Sequence, residues 1–277
     1  MRSLFSYWHF DSITIGFVVL LCLLYLYMVR FVFSKHSVYF FTGILLLLVC
    51  VASPLHFIGE HYLFSAHMTA HVLLLLIAAP LMITGIPEEN RFKKPLTKLS
   101  EILSKMTFVS WLVGVSIMWF WHIPYIFNQL FGMHDMSHGF AHPMSVLMYA
   151  HMLSLLMAGI IFSWPIINPY PQYRIASLAG VLYLSTACVF CSLLGLLITF
   201  APVGTYTNYI NTMDTYGYLP MIRNSWGISA AADQQMGGLI MWVPCCFIYL
   251  SASMYLLIKW FDNKKEAPSF SNITFLK

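Results

Sequence analysis

Apolar residues run along this chain in blocks of about twenty, separated by short polar segments. A block of that length is what a helix needs to cross a bilayer. The pattern predicts seven transmembrane helices, over residues 13–33, 38–57, 63–86, 106–127, 142–162, 175–200 and 236–259. The fold class expected is all-α: a polytopic membrane protein with one seven-helix domain across residues 1–277. Pro143, Pro165 and Pro169 mark helix starts or stops. Pro80 and Pro244 fall inside spans, where a missing N–H and a crowding ring bend a helix. The first block, from near Ile13, lacks a small-x-small cleavage site and reads as an anchor rather than a signal peptide.

The polar segments alternate in charge. Arg30, Lys35 and His36 lie in the first connection. Arg91, Lys93, Lys94, Lys98 and Lys105 lie in the third, with Glu88, Glu89 and Glu101. Arg174 lies in the fifth, and Lys259, Lys264 and Lys265 follow the last span. Basic loops stay on the cytoplasmic side, so the N-terminus is expected outside and the C-terminus in the cytoplasm. Composition agrees: 60% of residues are hydrophobic and 9% charged, where a soluble domain carries about 25% charged. The net charge of +4 follows from loop topology, and no nucleic-acid motif accompanies it. No acidic or basic residue falls well inside a span, which argues against an ion pump. The seventh span has no central lysine for a retinal Schiff base. All six cysteines lie in apolar runs, so there is no disulfide framework.

On this topology ten of the eleven histidines fall in the outer half, with His36 the exception. The densest stretch is residues 56–87. It opens with His56, Glu60 and His61 and then carries His67 and His71 within an apolar run. An i, i+4 spacing puts both imidazoles on one helix face, one turn apart. The pair is open to three readings: metal ligands, haem ligands, or hydrogen-bonding glue between helices. His122 lies near the outer interface beside Trp121, and His151 near the middle of the fifth span. Met144, Met148 and His151 or Met152 share a face that would suit Cu(I), although a methionine stripe in a membrane helix also serves for packing. His134 and His138, at helical spacing in the fourth loop, are candidates for the point where metal enters, or are simply solvated. Glu60 is placed to orient a ligand through a hydrogen bond. Asp233 or a neighbour, at the end of the long segment 201–235, is placed to cap the last helix, and Asp233 to support the site in the same way as Glu60. Cys188-x-x-Cys191 and the Met241/Cys245 face are weak metal or redox signals that read first as packing.

The ordered motifs resemble a known family. They are His67-Met68-x-x-His71, Ala79-Pro80, Gly85-Ile86-Pro87, Trp121-His122-x-Pro124, Ala158-Gly159, Trp164-Pro165, Asp233-Gln234-Gln235-x-Gly237-Gly238 and Met241-Trp242-x-Pro244. Together they resemble the polytopic CtaG-type cytochrome c oxidase assembly factors of Gram-positive bacteria. His151 matches the histidine that the family carries shortly before the Ala-Gly. The resemblance implies a non-catalytic, multi-pass protein of the bacterial plasma membrane that helps mature a haem–copper oxidase. Copper insertion is the usual suggestion. The expected partners are the oxidase catalytic subunit or other assembly factors, within the lipid bilayer. Copper would be held by His67, His71, His122 and His151. Two alternatives remain: a b-type haem protein exchanging electrons with quinone, and a copper transporter.

Overall fold

The computed structural model describes residues 6–132 and 146–266, apart from 211 and 213. His134, His138, Met144 and the expected start of the fifth span at His142 lie outside them. The described residues form helices α1 Ser12–Met28, α2 Lys35–Ala52, α3 Pro54–His61, α4 Phe64–Thr84, α5 Lys93–Lys105, α6 Thr107–Trp121, α7 Pro124–Gly132, α8 Val146–Ile167, α9 Ser177–Phe200 and α10 Ala230–Glu266. Five stretches are long and apolar enough to cross a membrane, α2 with α3 counting as one. The number is six if α5 and α6, bent by 85° at Met106, are one broken span. α1 is apolar but shorter, with 17 residues.

Local chemistry explains where the observed boundaries depart from the apolar blocks. The second block breaks at Ser53 and Pro54. The Ser53 hydroxyl donates to the Val49 carbonyl at 2.6 Å and accepts from Leu55 N–H at 3.1 Å, ending one helix and capping the next. The fourth block breaks at His122, because Pro124 cannot continue the hydrogen-bond ladder. The third connection is largely helix rather than loop. Its lysines and Glu101 alternate with Leu96, Leu99 and Leu103, the pattern of a helix lying along a membrane surface. The last helix starts six residues earlier than its apolar block, at Ala230. Pro165 and Pro244 sit inside continuous helices.

α4 is the centre of the bundle. It packs against α2, α3, α8 and α10, and 67% of its most apolar window is buried, against 28% to 50% for the other four candidate spans. Between Leu74 and Ala78 it widens into a π-helical turn. Pro80 follows, with no N–H to offer the Leu76 carbonyl and a ring that crowds it, and the wider turn relieves both problems. α8 meets this turn through Gly159, where a Cβ would lie 2.7 Å from the Leu75 carbonyl oxygen, so no larger residue allows the approach. At the basic end, buried Ser100 joins α5 to α8: it accepts from Trp164 Nε1 at 3.0 Å and donates to Asn168 Oδ1 at 3.1 Å. There too the Tyr25 hydroxyl donates to the Gly85 carbonyl at 2.9 Å and ties α1 to the end of α4.

Candidate metal centre

The first turn of α4 needs partners for its free N–H groups, and Leu63 before it offers no side-chain cap. Asp233 supplies one from another helix. Its carboxylate is fully buried and accepts from Phe64 N–H at 2.7 Å, Ser65 N–H at 3.0 Å and the Ser65 hydroxyl at 2.6 Å. A carboxylate at a helix N-terminus also meets the positive end of the helix dipole. Asp233 does not itself cap its own helix; a neighbour takes that place. Ser229 does that, accepting from Ala232 N–H at 3.1 Å with its hydroxyl and from Asp233 N–H at 2.9 Å with its carbonyl. Asp233 lies one turn inside α10, facing α4. Gly237, one turn further, faces Phe64 and Met68, where any Cβ would collide with the Phe64 ring. Gln234 Nε2 donates to the Ala201 and Pro202 carbonyls and fixes α10 against the end of α9.

Fixed in this way, α4 carries His67 and His71 into the bundle, with ring centroids 4.2 Å apart. α8 brings His151 against both: its ring centroid lies 5.5 Å from that of His67, nearly parallel, and 4.8 Å from that of His71. One ligand nitrogen from each of the three lies within 4.8 Å of the others. All three residues are buried. Both ring nitrogens of His71 and both of His151 are shielded and have no hydrogen-bond partner among the described residues. Leaving such groups unpaired ordinarily costs about 1–3 kcal/mol each.

The fourth expected residue, His122, is adjacent but engaged. Its ring centroid is 5.2 Å from that of His71. Nδ1 faces the Met118 carbonyl at 2.6 Å, and Nε2 faces the Met68 sulfur at 3.1 Å. Tyr206 holds its backbone, donating to the His122 carbonyl at 3.0 Å. Glu60 lies on α3 near His56 (3.5 Å) and His61 (3.9 Å). Gly59 beside it lets α3 approach the His67 backbone, where a Cβ would lie 2.9 Å from the amide nitrogen. Tyr209 donates to the Gly59 carbonyl at 2.6 Å. Burial, with the Asp233 and Glu60 carboxylates nearby, pushes the Tyr209 phenol well above its ordinary value, so it stays a donor. Burial also raises the Tyr206 phenol.

Three further groups line the site: Met68 and Trp121, which stand in the sequence motifs without a role there, and Phe127, which the sequence does not single out. Met68 presents its thioether to His122. Phe127 and Trp121 wall the cluster, with ring centroids 5.5 Å from that of His67 and 4.8 Å from that of His151. Met68 has a signal, its place between the two histidines of the pair, and Trp121 has one, its place beside His122; Phe127 has none, because aromatic residues are everywhere in this chain. Chemically, three neutral imidazoles in an apolar pocket suit copper, zinc, iron or nickel. Bonds of about 2 Å around one ion set three donors about 3.5 Å apart, so closing the site takes only small side-chain movements.

A search for similar curated proteins and solved structures finds no match. The chain does match the family described as cytochrome c oxidase caa3 assembly factor, over residues 23–263.

Proposed function

Since the chain belongs to the cytochrome c oxidase caa3 assembly factor family, we propose that it takes up copper at its imidazole cluster and passes it to the oxidase it helps to assemble. The observation that carries this reading is the trio His67, His71 and His151, whose donor atoms converge within 4.8 Å. The four unpartnered nitrogens of His71 and His151 support it further. Copper is the cargo here. His67, His71 and His151 hold it, and His122 with Met68 supplies a nitrogen and a soft sulfur at the rim, a donor set that suits Cu(I). The protein sits in the bacterial plasma membrane with its basic loops in the cytoplasm, which places the cluster toward the outer face, where His134 and His138 are the first contacts for incoming metal. The client is the oxidase catalytic subunit, directly or through other assembly factors.

The same packing favours an ion over haem. Axial imidazoles of a haem stand on opposite faces of the macrocycle. Here the imidazoles touch one another, and Phe127 and Trp121 fill the flanks. The test is Cu(I) binding and an optical spectrum on detergent-purified protein. The expected result is one equivalent bound at the imidazoles, lost in His67→Ala and in His71→Ala, with no Soret band. Normal copper binding in both variants overturns the site. A Soret band replaces the reading with the haem one.

A further inference from the structure

Away from the imidazoles, a second set of metal-ligating side chains converges where α9 meets α10. Cys188 and Cys191 lie on one face of α9, three residues apart; Cys245 and Cys246 are neighbours on α10. The two helices approach closely because glycines face backbone. A Cβ on Gly195 would lie 2.8 Å from the Gly238 carbonyl oxygen and 2.7 Å from the Trp242 Cβ. One to two turns from that crossing the sulfurs meet. The Sγ atoms of Cys188 and Cys246 are 3.6 Å apart, and the buried Cys191 and Cys245 adjoin each other at the same interface. All four are free thiols. Cys191 donates to the Met241 carbonyl at 3.2 Å, and Ser192 Oγ lies 3.1 Å from Cys246 Sγ.

We infer that the paired thiols Cys188/Cys246 and Cys191/Cys245 form a second metal site, selective for a soft monovalent cation of the Cu(I) type. Thiolates select soft ions. The grouping decides the coordination number. The imidazole trio is the only group of three or more His, Cys, Asp or Glu donors within 4.8 Å of one another among the described residues. The sulfurs therefore stand as adjacent pairs, which suit a two-coordinate ion rather than tetrahedral Zn(II), which needs four. Binding replaces protons: two thiols and one Cu(I) give a dithiolate complex of charge −1 and release two protons to water. A single negative charge is the smaller burden in an apolar interface. Ser192 eases it. Its hydroxyl now lies 2.7 Å from the Cys188 carbonyl and can turn to donate to the Cys246 thiolate.

The position deepens the proposed function, and the choice of Cu(I) as the ion rests on that reading. Asp233, Gly237, Met241 and Cys245 recur every four residues along one face of α10. Gly237 touches Met68, whose sulfur faces His122. Along this face buried Met241 stands between Gly237, which faces Met68, and Cys245.

The experiment uses the full chain in detergent, loaded with Cu(I) from a competing chelator and, separately, with Ag(I) as a redox-inert probe. Each cysteine is also footprinted with a membrane-permeant alkylating reagent, with Cys22 as internal control. Wild type is expected to bind, beyond the imidazole equivalent, one ion per thiol pair with a thiolate-to-metal charge-transfer band, and the four clustered thiols are expected to be protected. His67→Ala/His71→Ala keeps the band and the protection. A variant with all four clustered cysteines changed to serine loses both and keeps the imidazole equivalent. Unprotected thiols in the metal-loaded wild type overturn the inference, and this arm needs no variant to fold. A serine variant that keeps the full metal load also overturns it. Loss of metal only in the histidine variant leaves the proposed function standing and removes this site alone.

Discussion

The first turn of α4 and the two turns after it both carry buried polar groups, and they are built in opposite ways. At the first turn the Asp233 carboxylate meets three donors within 3.0 Å. Further along, His71 and His151 leave four shielded nitrogens with no hydrogen-bond partner among the described residues. Burial is the same; satisfaction is not. A satisfied buried charge makes the fold specific, and on the proposed reading the unsatisfied buried imidazoles are left open for the ion. The difference separates satisfied from unsatisfied polar groups along α4 and the two helices packed on it.

The contrast makes four predictions. Asp233→Ala should have the largest effect, lowering stability by about 3 kcal/mol through lost charged hydrogen bonds and a lost cap. Thermal unfolding in detergent checks this, and Asp233→Asn, which keeps one acceptor, should fall between the two. A negligible shift would dissolve the distinction. Next comes ligand linkage: free Cu(I) at about 100 times its Kd should stabilise the wild type by about 2.7 kcal/mol. His71→Leu and His151→Leu should gain none of that, while their metal-free midpoints stay level or rise, because an unpaired polar group has been replaced by an apolar one. A large metal-free loss would mean the imidazoles are glue after all. Gly237→Val should lose about 2 kcal/mol by forcing Phe64 and Met68 aside, and it should weaken copper binding as well, since Met68 supports His122.

The smallest effect belongs to Asp11, which caps α1 and accepts from the Tyr149 hydroxyl at 2.6 Å. Burial works to raise its pKa, but hydrogen bonds from the Thr14 and Tyr149 side chains and the Thr14 and Ile13 amides together hold it below 3.8. A depressed carboxylate contributes its stability above the unfolded pKa and loses it as pH falls through the folded value. Asp11→Asn should therefore lower the midpoint slightly at neutral pH, and the gap to wild type should close below about pH 4.

Much of this was legible from spacing. Apolar blocks located the helices, and the i, i+4 rule put His67 and His71 on one face. His151 was a candidate by depth, but only tertiary packing of α8 on α4 brings it to the pair. Sequence shows only neighbours and so points to a local cap at Asp233 or beside it, but the Asp233 carboxylate serves Phe64 and Ser65, 169 and 168 residues away. The amphipathic α5 was hidden by its many lysines, which look like a loop until their periodicity is counted. The cysteines illustrate the same limit. Cys188-x-x-Cys191 and the Met241/Cys245 face each read as packing, and only the glycine-mediated approach of α9 and α10 brings their thiols into pairs.

The π-helical turn at Leu74–Ala78 makes α4 a helix with two phases. Each residue of an α-helix advances about 100° around the axis, so the extra residue accommodated in that turn sets the angular offset between its two halves. One half presents imidazoles to α8; the other presents Gly85, whose carbonyl receives the Tyr25 hydroxyl. Deleting a single residue within the turn would let it tighten to α geometry while rotating one half against the other. The chain could then align its histidines or its anchor to α1, but not both. The widened turn is in that sense the gear between the two ends of the molecule, and its length, rather than the identity of its leucines, is what it cannot change.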